Sequence, residues 1–381
     1  MNQKGIYLRG AKKVKNYDIG ILTLWNVPNY GTFVQAYALQ KIIERLSGRE
    51  VVQIAHLDDH HFNFYYNYKK YLQDYGIFSK QFIKSIFIKN IEDYDRFNCF
   101  KNAYNIVPHT DCITKENISH FSFNKVFLGS DIIWDYSLEP FNKDQMLFGL
   151  GIKGEINSYA ASFGTIKVGD DYPEYIVNGL RRMKHISVRD HKSADIVNQI
   201  TGKTPTIVLD PTWLWEFNHD KNIVEPETDN YILVYGQNFT RKFIENLLLF
   251  ADDNKKKIIA LDCNADNYEW CDVLIHQSEL HPFEWVGYFK KADFVATSTF
   301  HGISFSLIFN KKFAFCKTDF IMAKAEVLLK ELNLLHIFEN KEDVQGMLSR
   351  EWDYDYINRI IKDKKKQSIK FLERAIGENY E

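Results

Sequence analysis

The chain has 381 residues, 45% of them apolar, which is enough for two domains of ordinary size and excludes wholesale disorder. Its 48 basic and 50 acidic residues nearly cancel to a formal charge of −2, against the strong basic excess of a typical nucleic-acid binder. Five cysteines, odd in number and without CxxC spacing, read as reduced cytosolic thiols and make a zinc site improbable.

Residues 1–15 are polar and basic, so no signal peptide is expected, and no apolar run approaches the ~20 residues of a membrane span. A soluble, cytoplasmic protein follows as the expectation. The 22 Tyr and 29 Phe are an unusual load, interleaved with lysine at 62–70 and 75–89. An aromatic core under a solvated lysine face is the expected reading. Peripheral contact with the inner face of a membrane, or with a lipid-linked acceptor, is the sharper alternative.

Taken in chain order, strands are expected at 18–24, 50–54, 125–129, 156–161, 185–189 and 204–209. Helices at 33–46, 79–89, 91–103, 173–183 and 192–200 separate them. A polar stretch at 216–230 then reads as an interdomain linker. The pattern restarts with strands near 231–235, 256–261, 293–297 and 312–316 and helices at 239–250, 282–291 and 302–309. A final helix is expected over 353–377, its polar run KDKKKQ (362–367) read as solvated charge. The alternation predicts an α/β protein of two Rossmann-like, doubly wound domains with a cleft between them. The expected boundaries are 1–209 and 231–350, a linker at 210–230 and a C-terminal helix at 351–381.

The first strand runs into NVPNYGTFVQAYALQ (26–40), which places Tyr30, Gly31 and Thr32 at a strand-to-helix turn. Such a turn either caps the helix, with Thr32 as N-cap, or aims backbone N–H groups into a ligand crevice. Three other motifs do not survive inspection. GLGIKG (149–154) matches GxGxxG but precedes a strand instead of opening a helix. The two DYD triplets (93–95 and 353–355) lie in or beside helical patterns, not at strand ends. DDHH (58–61) stands in a polar loop without a matched partner, so no metal site is expected.

Two later segments repeat the grammar of the opening turn: KVFLGSDIIW (125–134) and ATSTFHGISFSLI (296–308). With YAASFG (159–164), ISVRD (186–190) and LDPT (209–212), they form an ordered set that resembles the polysaccharide pyruvyl transferase family from Asp18 to about Phe315. The resemblance implies a GT-B-like fold. It also implies transfer of pyruvate from phosphoenolpyruvate to sugar hydroxyls, as a ketal on a surface or capsular polysaccharide or its precursor. Phosphoenolpyruvate enters as donor substrate, no further cofactor is implied, and the acceptor would be a nucleotide- or lipid-linked sugar. The alternatives are a nucleotide-sugar glycosyltransferase on the same architecture and a non-catalytic member.

Such chemistry needs cationic donors for a highly anionic substrate, an acid for the methylene carbon and a base for each hydroxyl. His301 is the expected acid or phosphate donor, with a capping or core histidine as the plainer reading. Ser298, Thr299 and the N–H of Gly302 would help bind the anion. Some relatives carry an arginine where this chain has Thr299, which removes one expected cation. Arg189 is the best remaining guanidinium, its fork reaching an anion unless an acid such as Asp190 holds it. Asp131, following Ser130, is the expected base. Asn29, Tyr30, Gly31, Thr32 and Gln35 would face the cleft opposite His301 and shape the acceptor side.

Overall fold

Two series of apolar strands alternate with helices, and each series closes into its own all-parallel sheet. In the computed structural model, which describes residues 14–56, 91–138, 141, 143–169, 171–263 and 267–377, all of the expected strands appear. The helix expected at 79–89, the lysine–aromatic stretches and DDHH (58–61) lie outside the described residues.

The first sheet has the order β2-β1-β3-β4, from β1 (Lys15–Leu22), β2 (Val51–Gln53), β3 (Phe121–Leu128) and β4 (Glu155–Ser158). A short ladder of β5 (Ser187–Val188) and β6 (Thr206–Ile207) extends it through a bridge between Ala161 and Val188. Its helices are α1 (Tyr30–Ser47), α2 (Ile91–Ile106), α3 (Glu174–Arg182) and α4 (His191–Thr201).

The second sheet has the order β9-β8-β7-β10-β11, from β7 (Tyr231–Tyr235), β8 (Lys257–Leu261), β9 (Val273–Ile275), β10 (Phe294–Thr297) and β11 (Lys312–Phe315). All five residues of β7 are buried, as expected for a strand covered on both faces. With it run α5 (Arg241–Asp253), α6 (Pro282–Lys291), α7 (Phe300–Ile308), α8 (Asp319–Glu331), α9 (Val344–Ser349) and α10 (Tyr354–Ile376). The sequence reading lacked β9, α8 and α9.

In each sheet the chain order reverses once, between β1 and β3 and between β7 and β10. Open α/β sheets bind ligands outside the carboxyl ends of the strands at such points. The two halves meet with these ends close together. Tyr30 crosses the junction: its ring stacks on Trp285 with centroids 5.8 Å apart, and its hydroxyl donates to Gln277 O and Leu280 O at 3.3 and 3.2 Å. Phe33 and Tyr37 set their rings edge-on to Phe283.

The segment read as a polar linker is anchored. Phe217 packs on Phe305 at 5.1 Å, and Asp220 accepts from the Tyr37 hydroxyl at 2.7 Å. Helix α10 spans both halves, with Ile357 in the core of the second and Phe371, Leu372 and Ala375 packed with Ile19, Ile21 and Leu39 of the first. Among the described residues, no helix is long and apolar enough to cross a membrane.

Candidate functional site

Both reversal points carry a short polar turn. After β3, Gly129 takes a φ of 110°, and a Cβ there would lie 2.3 Å from Tyr159 O, so only glycine fits. Ser130 and Asp131 then turn toward α1. Ser130 Oγ donates to Gln35 Oε1 at 2.5 Å, Gln35 Nε2 donates to Thr23 Oγ1 at 3.3 Å, and Thr23 Oγ1 donates back to Ser130 O at 3.0 Å. All three side chains are buried. Ser130 and Gln35 therefore brace the turn.

Asp131 sits in the left-handed region, at φ 72°, an uncommon conformation for a residue with a Cβ. Its own carboxylate supports the turn, because Oδ1 accepts from the N–H of Ile132 at 2.9 Å. Oδ2 accepts from Thr32 Oγ1 at 3.3 Å. Asn29, not Thr32, is the N-cap of α1, accepting from the Thr32 N–H at 3.1 Å.

Arg189, at the end of β5, joins two acids. Nη2 donates to Asp131 Oδ1 at 3.0 Å and Nη1 to Asp210 Oδ2 at 3.3 Å, while Cζ lies 5.5 Å from the centre of the Phe300 ring. Asp210 is only 3% exposed, and its other oxygen accepts from the N–H and hydroxyl of Thr212. Asp190 instead caps α4 through the Ser193 N–H. The fork expected to reach a substrate is thus occupied by two carboxylates.

Helix α7 starts directly after β10. Thr299 caps it, accepting from the Gly302 N–H at 3.0 Å, and Ser298 is tied to Gln237 by two hydrogen bonds of 2.7 and 2.8 Å. These groups, expected to bind an anion, are engaged within the protein. His301, in the first turn, reaches across to α1: a Cβ on Gly31 would lie 2.1 Å from His301 Nδ1. His301 Nε2 is buried and has no hydrogen-bond partner among the described residues.

A cavity of about 220 Å³ opens beside this cluster, between the halves. Arg189, Asp210 and Ile207 of the first half line it together with Phe300, Lys324 and Val327 of the second. His301 lies behind Phe300, the two rings meeting edge to face at 5.4 Å.

The charges shift one another. Burial alone would raise the Asp131 carboxyl, but Arg189, Lys324 and His301 outweigh it and hold it at about 2. Burial lowers His301 below its ordinary value; Asp210 and Asp131 oppose that, while Arg189 and Lys324 add to it. The α7 N-terminus also disfavours an imidazolium. Burial and Arg189 bring Lys324 down to about 8. Arg189 is raised despite its burial, because Asp131 and Asp210 favour its charge.

Three contributors escaped the sequence reading. Phe300 and Asp210 carry no signal apart from the motifs that contain them, and Lys324 lies in a helix with no local signal. Among the described residues, no group of three or more His, Cys, Asp or Glu is placed to hold a metal.

Two doubly wound parallel sheets that meet at the carboxyl ends of their strands define a GT-B-like protein, with the ion pairs of Arg189 to Asp131 and Asp210 beside the junction. The family model for polysaccharide pyruvyl transferase matches residues 29–319, and the chain belongs to that family. No curated protein matches it. Among solved structures it is similar to the UDP-GlcNAc 2-epimerase of Methanocaldococcus jannaschii, at 10% identity and TM-score 0.47, over 91% of this chain and 99% of that one. The UDP-GlcNAc 2-epimerase of Neisseria meningitidis aligns at 11% identity and TM-score 0.41, over 93% and 100% of the two chains. A glycotransferase of kitacinnamycin aligns at 11% and 0.43, over 96% and 100%. These likenesses are too distant to bear on the reaction.

Proposed function

We propose that this chain transfers pyruvate from phosphoenolpyruvate to two hydroxyls of a sugar, forming a ketal on a surface or capsular polysaccharide or its nucleotide- or lipid-linked precursor. The observation that supports it is the pair of cations Arg189 and Lys324 lining the cavity, with His301 close enough to feel both, within a chain of this family. In this reading 1–209 is the acceptor side and 231–350 the donor side, joined by 210–230, with α10 crossing both halves.

Lys324 supplies the cation absent at Thr299. It lines the cavity, and a lysine ammonium binds phosphate as a point charge. Arg189 adds charge but keeps its amino groups on Asp131 and Asp210. An Asp131 carboxyl held at about 2 is a weak base, since proton transfer is most effective near the working pH. Its part is to fix Arg189 and Thr32. His301 is the group suited to exchange a proton with the substrate.

The step balances without an oxidant. A proton adds to the methylene carbon, and one hydroxyl attacks the adjacent carbon, losing its proton. The second hydroxyl then attacks that carbon as the C–O bond to phosphate breaks, its proton leaving with the inorganic phosphate. No divalent metal is proposed, and the cytoplasm, where phosphoenolpyruvate is made, is the proposed location.

A second reading, a non-catalytic binding member, is favoured by one observation: both Arg189 amino groups and the Gly302 N–H are already engaged. Thermal shift separates the readings, because a ligand that binds only the folded state raises Tm. Phosphoenolpyruvate should raise it. A rise with nucleotide-sugars alone would make the protein a glycosyltransferase, and no rise with either would favour the non-catalytic reading.

A further inference from the structure

The charged groups that act on His301 come from every element packed around it. They are Asp131 after β3, Arg189 at the end of β5, Asp210 after β6 and Lys324 on α8, with uncharged Gly31 and Thr32 from α1. Around His301 these two carboxylates and two cations cancel, and Asp190, Glu331 and Lys364 line the adjoining cavity without adding a net positive charge. Surroundings with no net positive charge are a poor host for a multiply charged anion, because burying uncompensated charge is costly. Besides Lys324, lowered to about 8, the imidazole whose Nε2 is buried with no partner among the described residues can change this balance. A buried polar atom without a partner is uncommon in a folded protein.

We propose, building on the donor reading above, that phosphoenolpyruvate enters this site together with a proton, and that His301 takes it up. The free protein keeps the imidazole neutral, through enclosure, the α7 N-terminus, Arg189 and Lys324. An anion on Lys324 and Arg189 offsets those cations and tips the ring toward imidazolium. The proton taken up on binding is the one His301 then delivers to the methylene carbon. The first attacking hydroxyl returns a proton, so none is consumed from the ring over a cycle.

Isothermal titration of the full chain with phosphoenolpyruvate, in two buffers of different ionisation enthalpy near pH 7.5, counts the protons bound. Uptake approaching one proton is expected, with affinity rising up to about tenfold for each unit the pH is lowered while the free ring is neutral and the bound ring charged. In His301→Gln, folded by circular dichroism, the uptake should fall to the fraction of a proton that Lys324, lowered to about 8, takes up near pH 7.5, while weaker binding persists. His301→Asn serves if the Gln variant does not fold. Wild-type binding with no proton uptake would overturn the proposal and leave the donor reading intact. Uptake undiminished in a folded His301 variant would also overturn it, by placing the proton on the phosphate or elsewhere. No binding of phosphoenolpyruvate at all would sink the donor reading, and this inference with it.

Discussion

Gly31 and His301 touch across the two halves so closely that a Cβ on Gly31 would lie 2.1 Å from the imidazole Nδ1 and 2.6 Å from its Cγ. The glycine in the first turn of α1 leaves room for a ring carried by α7. Gly31→Ala should improve the intrinsic helix propensity of α1 by about 1 kcal/mol. Its methyl group must nevertheless displace the imidazole, and overpacking of this kind costs ~1–3 kcal/mol. A misplacement of about 1 Å can cost ~10²-fold in turnover. Phosphate release and a thermal melt check both; a fully active, unshifted variant would show that the ring's position is not critical.

Asp131→Asn tests the ion-pair centre. The Asp131 carboxyl is held at about 2 against an ordinary 3.8. A depressed carboxyl stabilises fully above its unfolded value, and that contribution disappears as pH falls through the folded one. At 1.36 kcal/mol per unit the contribution is about 2 kcal/mol. The stability gap between wild type and Asp131→Asn should therefore be full above pH 4 and close between pH 4 and 2, read by urea denaturation across that range.

Arg189→Lys should act mainly on folding. One ammonium cannot span Asp131 and Asp210 at 3.0 and 3.3 Å while lying against Phe300. Leaving a buried carboxylate without its cation costs ~3–5 kcal/mol. Unfolding curves should show a loss of that order. A stable variant with only a raised donor KM would mean that the fork serves the substrate after all.

Lys324 offers a test on the alkaline side. Its amine is lowered to about 8, so it is charged below that pH and loses its proton above it. If its charge holds the donor, kcat/KM should fall above about pH 8. Lys324→Arg, which stays charged, should remove that fall, and Lys324→Ala should raise the donor KM below about pH 8, with the difference from wild type shrinking above it. A pH profile unchanged in Lys324→Arg would assign the limb to another group.

Much of this was legible from patterns local in the chain. The strand–turn–helix segments at 125–134 and 296–308 announce themselves by an apolar run, small polar residues and a renewed apolar period, and both proved to lie at the reversal points. What those turns face was not legible. Tyr30 looks like a cleft residue, yet it is 1% exposed, because it packs on Phe100, 70 positions on, and on Trp285, more than two hundred positions away. Lys324 is one lysine among many until α8 carries it to the cavity. The run at 362–367, read as solvated, sends Lys364 to Glu331 of α8 at 2.8 Å.

The central claim is tested most directly by phosphate release from phosphoenolpyruvate, supplied with a panel of methyl hexopyranosides as acceptors, for wild type and His301→Ala. Circular dichroism of both establishes folding. Acceptor-dependent release by wild type and a loss of ~10²-fold or more in a folded His301→Ala are expected, the usual scale for one acid–base group. Wild-type turnover in a folded His301→Ala would contradict the account.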